Sequence, residues 1–200
     1  MKGLVIRPDC ADLPYFLRAY FAFKNGLPFG YAKCTRGGGG RAPRCPAWWS
    51  IQKLEPPPGT AEQKKGSGSL FGIFDGQGES APQSKPQGLV ATFGTYLRST
   101  VANSVHSGSG RTALSDNNTD YYPVPLTQQA LRPGTVYADP YGHLLVLVKR
   151  VPQTDGAAGV FLAVDGQPDG TVARKRFWRG NFLFAQDPAL GGPGFKRFRP

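Results

Sequence analysis

Apolar side chains recur at helical spacing near the start of the chain. Leu13, Phe16, Leu17, Tyr20 and Phe21 stand three and four residues apart, the period of a helix with one apolar face. Asp9 supplies an N-cap, Asp12 follows three residues later as in a capping box, and Asn25-Gly26 supplies a stop. A second stripe, Val90, Phe93, Leu97, Val101 and Val105, predicts a helix over 89–104. Beyond it the period changes. Residues 135–138, 143–150, 159–165, 171–177 and 182–184 read as strands joined by short turns, and 3–7 as a further short strand. Helices followed by an antiparallel meander give an α+β order, with N-terminal helices packed on a C-terminal antiparallel sheet. Between the two patterns lies a loop-rich insertion at about 27–88, poor in apolar residues from 53 onward. Only Leu70-Phe71-Gly72-Ile73-Phe74 interrupts it, as a short strand or a lid that packs down. The whole reads as a single domain, 1–200, with that insertion.

Composition supports a packed core: 40% of the residues are hydrophobic, with 13 Phe and 8 Tyr. The 27 Gly and 19 Pro add turns and irregular loops. Charge changes the picture more. The formal net charge is +11, from 24 Lys plus Arg against 13 Asp plus Glu. Such a surplus favours an anionic partner: nucleic acid, an acidic membrane, or a polymer such as bacterial cell wall. Solubility alone is the plainer alternative. No transmembrane run occurs, and the first seven residues are too short for a signal-peptide core. The chain is then cytosolic, or trimmed of a leader, or exported by another route; a periplasmic or secreted location is favoured.

Three cysteines cannot all pair. Cys34 and Cys45 flank the Gly37–Gly40 run. They form a disulfide in an oxidising compartment and two free thiols in the cytosol; the first case leaves Cys10 unpaired. The glycine run is no phosphate-binding P-loop, because no Gly-Lys-Ser/Thr follows it. Cys10 falls at the first turn of the first helix. There the unpaired N–H groups and the positive end of the macrodipole favour a thiolate and predict a lowered thiol pKa. Cys45, before Pro46-Ala47-Trp48-Trp49, is a rival nucleophile with a weaker apolar face after it. His106 reads as a solvated partner of a helix C-terminus. His143 is different. If 143–150 pairs with 158–165 as a hairpin, His143 lies directly opposite Asp165, close enough for the carboxylate to fix the imidazole tautomer.

Asp9-Cys10-Ala11-Asp12-Leu13 opening a helix, followed by Pro133-Gly134-Thr135-Val136-Tyr137 and Gly142-His143-Leu144-Leu145-Val146, resembles the papain-like NlpC-type peptidases and the related CHAP amidases. In those a Cys starts a helix, a His starts a later strand, and a polar third residue sits on the next strand. The resemblance implies Cys10 as nucleophile, His143 as base and Asp165 as orienter, with the Cys10 N–H in the oxyanion hole. It implies hydrolysis of amide bonds in peptidoglycan stem peptides without a metal. The family usually has Cys-Ser-Gly where this chain has Cys10-Ala11-Asp12, and often His where it has Asp165. The 27–88 segment has no counterpart.

Other readings stay open. The same three residues serve a deamidase, a transglutaminase or a protein-processing protease equally well. Tyr141, Trp48 and Trp178 are candidates to line a substrate cleft. Arg174–Arg179 and Phe195–Arg199 interleave cations with aromatic rings, as nucleic-acid binders do. The plainer account is a strand and a tail with solvated cations, which argues against nucleic acid as a partner and leaves a nucleic-acid-binding module as the non-enzymatic alternative. No metal or other cofactor is expected: paired-Cys spacing is lacking and the chain has two His. Oligomeric state has no signature.

Overall fold

The computed structural model describes residues 4–50, 88–112, 119–177 and 192–200. The predicted strand at 182–184, the 70–74 segment and Trp178 lie outside these residues, and no strand forms over 4–7. Helix α1 runs Asp12–Asn25. It ends as the sequence requires: Gly26 takes φ 63° and its N–H donates to Ala22 O, as does the N–H of Leu27. The buried face is rotated from the expected one. Tyr15, Phe16, Ala19 and Ala22 point into the core, whereas Leu17, Tyr20 and Phe21 are exposed. Two small residues let α1 lie close to its neighbours, and that contact overrides the stripe of largest side chains.

β1 (Gly30–Lys33) and β2 (Ala47–Ser50) pair as an antiparallel hairpin apart from the main sheet. The predicted insertion therefore begins as core, with Phe29, Tyr31 and Ala32 buried. The predicted second helix forms in two pieces: α2 (Leu89–Thr95), then a wider π-type segment Tyr96–Val101. Of its predicted stripe, Phe93, Leu97, Val101 and Val105 reach the core, whereas Val90 is only half-buried.

Among the described residues the main sheet has six antiparallel strands: β3 (Tyr121–Pro123), β4 (Val136–Ala138), β5 (Leu144–Val151), β6 (Val160–Gly166), β7 (Val172–Arg176) and β8 (Gly194–Phe198). Their spatial order is β3-β8-β4-β5-β6-β7. The protein is thus α+β, with the meander β4-β5-β6-β7 read correctly. The tail expected at 195–199 is instead a strand between β3 and β4. Alternation explains it: Phe198 packs on Tyr15 and Tyr121 on one face, and Phe195 on Tyr137 and Phe177 on the other. Its cations are structural. Arg197 donates to Gln129 O and Ala130 O, Arg199 donates to Thr119 O, and Lys196 is buried. By contrast Arg174 and Arg176 are exposed on the edge strand β7, as solvated cations should be, while Lys175 between them, also exposed, reaches to 3.9 Å from Asp165.

Two apolar clusters sandwich the sheet. One joins α1, β1 and the π-type segment to Val136, Ala138 and Leu144; the other gathers Tyr137, Leu145, Leu147, Ala163, Phe177 and Phe195. The site lies where the strand ends meet the start of α1.

Candidate active site

The turn carrying Cys10 is built by Asp9. Its Oδ1 accepts from the N–H groups of Ala11 and Asp12, at 2.8 and 2.9 Å, and its carbonyl accepts from Leu13 at 3.1 Å. Asp12 Oδ2 reaches back to the Asp9 N–H at 3.4 Å, completing the reciprocal cap. This turn rests on the end of β6. A side chain at Gly166 would overlap the Asp9 carbonyl, so the approach of the two backbones requires glycine there.

The Cys10 thiol is free and half-buried. It donates to the carbonyl of Gly142 at 3.7 Å. Gly142 belongs to the β4–β5 turn, takes φ +118°, and precedes His143. The Asp139 N–H donates to His143 O at 2.9 Å, which closes the turn and starts β5. The thiol therefore meets the imidazole's neighbour across the end of the sheet, and its hydrogen bond in this state goes to that carbonyl rather than to the ring.

His143 Nδ1 lies 3.2 Å from Asp165 Oδ1 and 3.1 Å from Oδ2. The carboxylate accepts from Nδ1–H, which leaves Nε2 as the basic nitrogen. Burial is unequal: the Asp165 side chain is 3% exposed and that of His143 is 39%. The register differs from the one expected. Val146 faces Val164 and Leu147 faces Ala163, an offset of two that sets Asp165 opposite Leu145 and diagonal to His143. A two-residue shift keeps both side chains on one face, so the pair still forms. A bulge between Leu147 and Lys149 shifts the register again farther along.

Two partners of Asp165 escaped the sequence reading. Gln167 Nε2 donates to Asp165 Oδ2 at 2.8 Å, and Lys175 Nζ stands 3.9 Å from the same oxygen. Strand alternation placed Gln167 beside Asp165 in principle, two residues on; Lys175 needed the β6–β7 register. Electrostatics also corrects an expectation. The Cys10 thiol is pushed up, not down, by burial first and then by the charges of Asp9 and Asp165. Nearby backbone N–H groups oppose the shift without reversing it. Asp12, buried beside Asp9, has its carboxyl raised to about 6.

The remaining candidates are dispersed. Tyr141 is on the Gly142 turn with 86% of its surface exposed. Trp48 is exposed on β2, opposite Ala32 in the separate hairpin. Cys34 and Cys45 are disulfide-bonded, which removes Cys45 as a rival nucleophile in this state. His106 is no solvated dipole partner. Its Nδ1 accepts from the Gly108 N–H at 3.1 Å, and Nε2 contacts Cys34 O. Among the described residues no group of three His, Cys, Asp or Glu side chains is placed to hold a metal ion. No helix there is long and apolar enough to cross a membrane.

No family model, curated protein or solved structure matches this chain. The functional reading therefore rests on the geometry and on the motif resemblance.

Proposed function

We propose that the protein is a cysteine hydrolase of papain-like, NlpC-like type that cleaves amide bonds in peptidoglycan stem peptides. One observation carries the reading: an imidazole oriented by a buried carboxylate adjoins, through Gly142, a free thiol at the start of a helix. In the mechanism, the thiol is neutral at rest because burial and two carboxylates disfavour its charge. The Cys10 side chain leaves the Gly142 carbonyl and turns to His143 when substrate enters. Nε2 then takes the proton as sulfur bonds to the amide carbonyl carbon. The Cys10 N–H, which has no backbone acceptor among the described residues, donates to the developing oxyanion. The imidazolium, held by Asp165, returns its proton to the leaving amine; the C–N bond breaks and a thioester remains. Water, deprotonated by His143, attacks that thioester and releases the acid and the thiol.

The basic surface suits an anionic wall polymer, and Tyr141 stands beside the base. Purified muropeptides are the test substrate. Cys10→Ala should abolish amine release, by at least ~10³-fold, with an unchanged circular dichroism spectrum. An active Cys10→Ala protein sinks the proposal. Conversion of a protein glutamine to glutamate, without chain cleavage, would instead mark a deamidase.

A further inference from the structure

The Cys34–Cys45 segment plays no part in the chemistry above, yet it is held by a disulfide and by backbone hydrogen bonds across its two limbs. The β1–β2 pairing continues past the strands. The disulfide links Cys34 to Cys45; Thr35 N–H donates to Arg44 O at 2.7 Å, and Arg44 N–H to Thr35 Oγ1 at 2.9 Å. Gly38 and Arg41 exchange both backbone hydrogen bonds, at 3.1 and 3.0 Å. The two residues between them, Gly39 and Gly40, have φ of 57° and 75°. Two successive positive φ values are what a type I′ hairpin turn demands, so the glycine run is the tip of a twisted β-arm. Gly37 is needed as well: a side chain there would press on Arg41 O at 2.8 Å.

The root is equally fixed. Ala32 N–H donates to both oxygens of the buried Asp120, at 2.9 and 2.8 Å, and the Cys34 carbonyl contacts His106. Between Leu27 and Ser50 the chain carries Lys33, Arg36, Arg41 and Arg44 and no acidic residue. All three arginines are exposed, and none forms an ion pair among the described residues. At the root a basin of about 580 Å³ opens between Lys33–Arg36 and Ala102–His106, with two cations and no carboxylate on its walls. Exposed Trp48 stands on the adjoining strand. Solvation alone asks for charge; it does not ask for a stapled, hydrogen-bonded backbone that carries three arginines on an acid-free arm. Guanidinium forks match the bidentate geometry of phosphate.

We propose that the disulfide-stapled arm 34–45 is a binding element for a phosphodiester polymer, which Arg36, Arg41 and Arg44 recognise through its anionic backbone. The inference is independent of the thiol chemistry. It is tested by fluorescence anisotropy of the full chain with two probes, a labelled oligothymidylate and a polyglycerol phosphate of equal charge number. Both should bind, with affinity falling steeply as salt rises. The triple variant R36Q/R41Q/R44Q should lose at least ~10-fold in affinity and about 2 from the logarithmic salt slope, at roughly 0.7 for each phosphate no longer neutralised. The control R174Q/K175Q/R176Q, with the same loss of charge on β7, should keep the wild-type slope. C34S/C45S keeps the charges but frees the arm, and should weaken binding several-fold. Cys10→Ala should bind as wild type does, whatever it does to hydrolysis. Equal weakening by the two triple variants would show diffuse charge attraction and overturn the proposal. So would binding of oligothymidylate alone, which would mean that bases are read instead.

Discussion

Two buried carboxylates of this protein are built to opposite ends. Asp120 and Asp165 are almost equally hidden, at 3% and 2% exposure. Asp120 is closed on all sides. It accepts from the Tyr15 hydroxyl at 2.7 Å and from Ala32 N–H, while its own carbonyl accepts from Arg199 N–H. Every partner is itself fixed, and together they tie α1, β1 and the end of β8 to one point. Burial raises the Asp120 pKa, and the donors from Ala32 and Tyr15 oppose it. Asp165 gives one oxygen to Gln167 and shares its remaining capacity with an imidazole that opens to solvent. A carboxylate surrounded by immobile donors is a structural anchor. One that faces a titratable, half-open ring is suited to chemistry. Burial alone does not separate the two; the freedom of the partner does.

That comparison is broken most directly by exchanging charge for amide or methyl at each position. Under the proposed hydrolysis, Asp165→Asn should lower amide turnover by about 10⁴-fold, because the amide supports the wrong imidazole tautomer, while the urea midpoint moves little. Asp120→Ala should do the reverse. It strands the Tyr15 hydroxyl and the Ala32 N–H in the core and should cost about 3–5 kcal/mol of stability in urea titration. Equal effects of the two substitutions on stability would erase the distinction.

Gly166→Ala tests the link between the dyad and the thiol. Its methyl has nowhere to go except against the Asp9 carbonyl. The Cys10 turn must shift, and activity should fall by roughly 10²-fold through misplacement alone. A shift confined to thermal stability would show that the thiol's position does not matter. The thiol itself sharpens the contrast. Because its pKa is raised, the rate of iodoacetamide alkylation of Cys10 should be low at pH 6–7 and climb only above the ordinary thiol range. A plateau near neutrality would instead reveal a preformed thiolate–imidazolium pair.

Lys196 supplies the smallest effect and a control for burial without a partner network. Desolvation lowers its pKa from 10.5 to about 8. Below pH 8 the ammonium is charged in both states and the burial cost is fully present. Between about 8 and 10.5 the folded protein binds fewer protons than the unfolded one, so stability rises with pH. Lys196→Met should therefore stabilise by about 1–3 kcal/mol at pH 7, with the gain fading toward pH 10.5 in urea titrations at stepped pH.

Local chemistry was legible in the sequence where one short segment decides the outcome. Asp9 and Asn25-Gly26 mark both ends of α1, and the apolar run after His143 marks β5. The pairing of His143 with Asp165 was legible too, since either of two even registers brings them together. What stayed hidden depends on distant partners. The rotated face of α1 is chosen by Asp120 and the close packing of Ala19 and Ala22, not by the helix's own largest side chains. The bulge beyond Leu147 reflects strand geometry that no local pattern carries. The raised thiol pKa follows from burial first, then from Asp9 and Asp165; Asp9 is adjacent in sequence, but the burial and the approach of Asp165 depend on the folded chain. In Phe195-Lys196-Arg197-Phe198-Arg199, alternation was visible, but its two pairing partners were far upstream, so a strand looked like a tail.

The position of β8 has a kinetic consequence. β3 and β4 share no hydrogen bonds; each bonds instead to β8. Withdraw that strand and the sheet divides into a self-sufficient four-strand ribbon and a three-residue orphan. The ribbon's pairings are short-range and can zip early, whereas seating β8 closes long loops and comes late. Assembly thus resembles the setting of a keystone, and amide protons on the β3 side of the sheet should acquire protection last during refolding.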